Sequence, residues 1–112
     1  EIFALGRSID SLLKDFKRSP RVIKVDVEGA ELLVLRGAVQ TLREVEAVVV
    51  EVNLDAHCQQ FGYRFAEIFE FLDLHGFENR YEVKNVDNSV RQLGAREYIP
   101  GDILFARRKL TL

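Results

Sequence analysis

The sequence predicts an α/β fold, a parallel βαβ unit followed by an antiparallel strand pair. Three observations carry this reading. They are the β-branched run Val22-Ile23-Lys24-Val25-Asp26-Val27, the change to helical spacing after Gly29, and a second strand-like run, Ala-Val-Val-Val-Glu-Val, at 47–52. Between the two runs Leu32, Leu35, Val39 and Leu42 recur at i, i+3, i+7 and i+10, the stripe of one helix of about three turns. A helix of that length suits the right-handed crossover that joins two parallel strands.

The flanking elements follow in order. Ser8 reads as the N-cap of a short helix with Ile9, Leu12, Leu13 and Phe16 on one face, and Ser19-Pro20 breaks it before the first strand. Beyond the βαβ unit, Phe61, Phe65, Ile68, Phe69 and Leu72 stripe a second long helix. Gly76 suits the left-handed residue that ends it, and Phe77 returns to the core. Two apolar runs remain, around Tyr81 to Val83 and Ile103 to Ala106, separated by about twenty residues that include Asn85, Asp87, Asn88 and Gly94. They read as two strands joined by a long loop and paired at one sheet edge.

Composition narrows the function classes. The chain has 112 residues with 47% hydrophobic and 30% charged content, ordinary for one globular domain and unlike a disordered one. Sixteen Lys and Arg against eighteen Asp and Glu leave a net charge of -2, no footprint for nucleic acid or an anionic membrane. Apolar stretches such as Ala47 to Val50 fall far short of the ~18 residues that span a bilayer, and no signal segment opens the chain, so the expected location is cytoplasmic. The single cysteine, Cys58, forms no internal disulfide. A start at Glu1 and the lack of any methionine read as an excised piece of a longer protein. No proline-rich linker or repeat divides it, so residues 1–112 are one unit, a single partial domain.

The candidate chemistry lies at the strand ends. Strands buried between helices should be nearly continuous apolar runs, yet Lys24, Asp26 and Glu28 share one face of the first, and Glu51 and Asn53 share one face at the end of the second. If the strands are parallel neighbours these ends converge where open α/β sheets bind ligands. Carboxylates there can accept a proton from a hydroxyl, hold a hydroxyl, or ligate a hard cation such as Mg²⁺ with an Asn oxygen beside them. The plainer reading makes them solvated loop starts, with Glu28 and Glu31 merely favourable charges at a helix N-terminus. That reading suits Glu31; Asp26 and Glu51 interrupt apolar strands, where an unpaired charge is costly. His57 is a general-base candidate but reads more simply as a solvated loop residue, Cys58 beside it does not establish a thiolate–imidazole pair, and Gly37 reads as a packing point. No G-x-G-x-x-G or G-x-x-x-x-G-K-[ST] loop occurs.

Read together, Val22-Ile23-Lys24-Val25-Asp26-Val27-Glu28-Gly29-Ala30-Glu31, then Val34-Leu35-Arg36-Gly37-Ala38, Leu42 and Val48-Val49-Val50-Glu51-Val52, resemble the C-terminal half of an FkbM-type methyltransferase domain. The lead-in Ser8-Ile9-Asp10-Ser11-Leu12-Leu13 is similar to that family's as well. The resemblance covers 9–77 and leaves 78–112 as a terminal strand pair and long loop.

The resemblance implies a Rossmann-like class I sheet, of which this chain supplies strands four to seven, and S-adenosylmethionine as cofactor. It implies O-methylation of a hydroxyl on a sugar or small natural product. Carried over, Asp26, Glu28 and Glu51 form the catalytic set, with Asp26 beside the cofactor's methyl group. A metal such as Mg²⁺ would sit at Asp26, Glu51 and Asn53.

The partner expected is a small-molecule hydroxyl acceptor, not nucleic acid or a membrane. The cofactor's Gly-rich turn and ribose-binding acid would lie upstream, so the isolated chain is expected to be inactive. The open outer edge of the first strand would be filled by a homodimer or by the missing N-terminal half. Two other classes compete: an inactive truncated domain acting as a protein-interaction module, and a metal-dependent hydrolase using Asp26, which lacks a phosphate cradle.

Overall fold

A computed structural model describes residues 21–84, 86–87 and 89–111. The helix expected from Ser8, with the lead-in around Ile9, lies outside them. Strand β1 is Val22–Val25, two residues shorter than the apolar run. The chain leaves the sheet because Glu28 and Gly29 both take left-handed backbone, φ 51° and 112°, and Ala30 closes a turn onto the Val27 carbonyl at 3.4 Å.

The expected single helix is two: α1, Glu31–Arg36, and α2, Val39–Leu42. Glycine lowers helix propensity in an interior, and at Gly37 the first helix stops, its N–H bonding back to Leu33 and Val34. The apolar stripe largely survives the break: Leu32, Leu35 and Leu42 are buried and Val39 is half-buried, with Ala38 buried beside it. β2, Ala47–Val52, matches its expected span and alternates half-buried and buried residues. It runs parallel to β1, with Val22 opposite Ala47 and Val25 opposite Val50.

After β2 come a short helix α3, Asp55–Cys58, a 3₁₀ turn, Gln59–Phe61, and the longer helix α4, Ala66–Leu74. Phe61 was expected in the long helix but sits in the 3₁₀ turn, cut off by Gly62 at φ 80°. Helix α4 ends as expected: Gly76 at φ 91° turns the chain, Phe77 donates to the Leu72 carbonyl and Gly76 to that of Asp73, a Schellman closure. Phe77 is buried.

The C-terminal region departs most from expectation. The two apolar runs become β3, Asn79–Lys84, and β5, Gly101–Ala106, and they pair antiparallel. The intervening stretch is no simple loop, because Ser89–Gln92 forms a strand β4 in a hairpin with β3. Nor do the two strands sit apart at one edge: β5 pairs along its whole length with β2, giving the order β1-β2-β5-β3-β4. Helices α1 and α4 touch each other, and with Val48, Val50, Ile103 and Phe105 of the sheet they form the core.

Two arginines fasten the frame. Arg107 donates to the carbonyls of Val45 at 2.9 Å, His75 at 3.0 Å and Leu42, with its guanidinium 4.2 Å from the centre of the Phe77 ring. Arg80, 4% exposed, lies against the rings of Phe69 and Tyr98 and donates to Ala95 at 2.8 Å, tying the segment before β5 to β3. Among the described residues no helix is long and apolar enough to cross a membrane.

Candidate active site at the carboxyl ends of the parallel strands

The β1–β2 register sets Val25 against Val50, so the next residues, Asp26 and Glu51, emerge side by side. Their carboxyls are hydrogen-bonded to each other, which raises the Glu51 pKa above the ordinary carboxyl value; partial burial and the charges of Asp26, Asp102 and Glu31 push it the same way. Two carboxyls in contact cannot both ionise freely, so Glu51 keeps a proton to higher pH and presents it to Asp26. Asp102, which the sequence reading did not select, stands opposite Glu51 in β5. Only the insertion of β5 beside β2 brings it there.

Behind the pair lies a hydrogen-bonded turn. Glu31 is 0% exposed, and the expectation that it is merely a favourable charge at a helix start is overturned. Its Oε2 accepts from the backbone N–H of Val27 at 2.8 Å, and its Oε1 from that of Gly29 at 3.0 Å and from Asn53 Nδ2 at 3.2 Å. Tyr63 donates its hydroxyl to the Gly29 carbonyl at 2.6 Å and accepts from the Leu32 N–H at 3.4 Å. Burial, first of all, together with a hydrogen bond to Cys58, pushes the Tyr63 pKa far up. A Cβ on Gly29 would stand 3.1 Å from the His57 carbonyl oxygen and 3.2 Å from the Phe61 ring. The turn after β1 is thus packed against the segment after β2 with no room for a side chain.

The expected catalytic set is therefore only partly assembled. Asp26 and Glu51 meet, whereas Glu28 is exposed on the turn, at the left-handed φ that costs a non-glycine residue roughly 1–2 kcal/mol. Among the described residues it makes no hydrogen bond or ion pair with them. Of the expected metal set, Asp26 and Glu51 stand together. Asn53 directs its amide donors to Glu31 and, at 3.3 Å, to the Glu51 carbonyl. Among the described residues no group of three or more His, Cys, Asp or Glu side chains is arranged to hold a metal ion. Cys58 is buried with its thiol 3.6 Å from the Asn53 carbonyl, and burial raises its pKa, the reverse of an activated nucleophile. His57 is exposed.

A signal for Glu31 was present in the sequence. A carboxylate in the first turn of a helix, close behind a glycine turn, can reach back to backbone donors, as the glutamate of a capping box does. Nothing local announced Tyr63, which is 34 residues from Gly29.

No curated protein and no solved structure matches the chain. A family profile does: that of the methyltransferase FkbM domain, over residues 6–79, a span that holds β1, β2, the Glu31 turn and the Asp26–Glu51 pair. Its match to well over half of the chain makes this protein a member of the FkbM methyltransferase domain family.

Proposed function

We propose that this chain forms the acceptor side of a Rossmann-like, S-adenosylmethionine-dependent O-methyltransferase acting on a hydroxyl of a sugar or small natural product. One observation carries the reading: in a chain of this family, two hydrogen-bonded carboxyls stand at the converging carboxyl ends of parallel strands, where such sheets bind ligands. The strand order supports it, since β1, β2 and β3 run one way and β5, inserted between β2 and β3, runs against them.

The cofactor supplies an electrophilic methyl group on a sulfonium. Asp26, exposed beside the Val27–Gly29 turn, fits the methyl end of that group, and the sequence holds no G-x-G-x-x-G turn for its nucleoside end. Asp26 accepts the hydrogen bond of the acceptor hydroxyl, orients its oxygen and takes its proton as the oxygen attacks. Glu51 anchors Asp26 by their hydrogen bond and fixes which Asp26 oxygen faces the acceptor.

In the protein carrying this chain, Asp26→Asn is expected to lower methyl transfer by a factor on the order of 10² or more, with cofactor affinity nearly unchanged. Radiolabelled methyl transfer and cofactor titration measure the two. An equal loss in both would move Asp26 from acceptor activation to cofactor binding.

A further inference from the structure

The geometry points to Glu31 as a positioning residue that sets the meeting of Asp26 with Glu51. The inference rests on the reading of those two carboxyls as the working pair. Asp26 follows β1, which among the described residues has no strand on its outer side to hold its backbone, and within three residues the chain passes through two left-handed positions, Glu28 and Gly29. A free turn of that kind has no reason to keep one shape. Here it is held from inside: Glu31 takes the N–H of Val27, directly after Asp26, and that of Gly29, while Asn53, two residues beyond Glu51, donates to the same carboxylate. Asn53 also donates to the Glu51 carbonyl. One side chain with no exposed surface thus ties the backbone after Asp26 to the backbone around Glu51, and Tyr63 locks the far side of the turn through the Gly29 carbonyl. Charge-assisted bonds from backbone N–H to a carboxylate are the strong class, so the link is stiff.

A purely structural role predicts only lost stability; a positioning role predicts that the interaction between Asp26 and Glu51 depends on Glu31. The coupling is read from carboxyl ¹³C titrations of the full chain, as the shift of the Glu51 midpoint on Asp26→Asn. It is then read again in a Glu31→Gln background, where an amide donor faces the turn's N–H groups, and in an Asn53→Ala background, which cuts the link while keeping the Glu31 charge. The double-mutant comparison cancels the direct charge effect of Glu31 on Glu51, which either arrangement of the turn would carry.

The expected result is a clear downward shift of the Glu51 midpoint in the parent, reduced to roughly half or less in each background that folds. An unchanged coupling in either folded background, or none in the parent, overturns the inference. If Glu31→Gln fails to fold, Asn53→Ala decides. Unchanged coupling in a folded background overturns the role of Glu31 alone and leaves methyl transfer and the Asp26→Asn prediction standing, whereas no coupling in the parent removes the carboxyl pair on which both readings rest.

Discussion

Glu51 faces three other acids, Asp26, Asp102 and Glu31, and its pKa is raised above the ordinary 4.5, first by the hydrogen bond to Asp26. A raised carboxyl pKa means that the folded chain binds more protons than the unfolded chain between the ordinary value and the raised one. The stability this brings is complete at low pH and is lost as pH rises through the raised value. Glu51→Gln removes the ionising group and keeps a donor toward Asp26. Its unfolding temperature should therefore exceed the parent's at neutral pH, and the gap should close as pH falls toward about 4.5. Thermal unfolding at a series of pH values checks this; a gap independent of pH would show that the proton on Glu51 does not govern the effect. At Glu28 the cost lies in the backbone and not in charge. Its left-handed backbone is stored strain at a candidate active site, and the strain is offset by bonds made by its neighbours.

Among the elements, α4 shows how a local signal and a tertiary contact reinforce each other. Gly76 is required by its φ of 91°, and a Cβ there would lie 2.6 Å from Arg107 Nη1, so the guanidinium would have to shift. That guanidinium bonds the His75 carbonyl and stacks on Phe77. Gly76→Ala should cost at least about 1–2 kcal/mol from the backbone alone, with a further loss from the displaced arginine. The control Leu74→Ala, at a residue 85% exposed, should stay within about 0.5 kcal/mol. Urea unfolding of both variants gives the comparison, and equal stabilities would refute the glycine's role.

At the scale of the whole molecule, the strand order leaves β1 at one end of the sheet with β2 as its sole partner among the described residues. Val22 is 54% exposed, and the charge of the exposed Lys24 guards only part of a row of backbone groups left unpaired among the described residues. The isolated chain should self-associate through this edge at micromolar concentration. Val22→Lys, which adds charge to the strand's first residue, should shift it toward monomer. Sedimentation velocity distinguishes the two, and a monodisperse parent chain would show that the edge is closed in another way. At the opposite end of the parallel pair Arg107 binds the carbonyls of Val45 and Leu42 beside a cavity of about 360 Å³ lined by Val22, Ala47 and Leu110, so the open edge runs between two separate surfaces of one frame.

Local spacing was enough for the βαβ unit, the bounds of β2, the glycine stop of α4 and the convergence of Asp26 with Glu51. Each follows from periodicity or from a parallel register that places successive residues in step. The split of the crossover helix at Gly37 was not legible, because its apolar stripe continues through the break. The insertion of β5 between β2 and β3, the strand hidden in the polar stretch before it, and the arrival of Asp102 opposite Glu51 depend on pairings across tens of residues that no local pattern encodes. Glu31 was legible in part, since its reach back to Val27 and Gly29 is local but its burial is not. Its letter marks a surface charge, and only the packing of two strand ends, with Tyr63 closing over them, turns it into a buried acceptor, since a carboxylate can be buried only where backbone and amide donors converge on it.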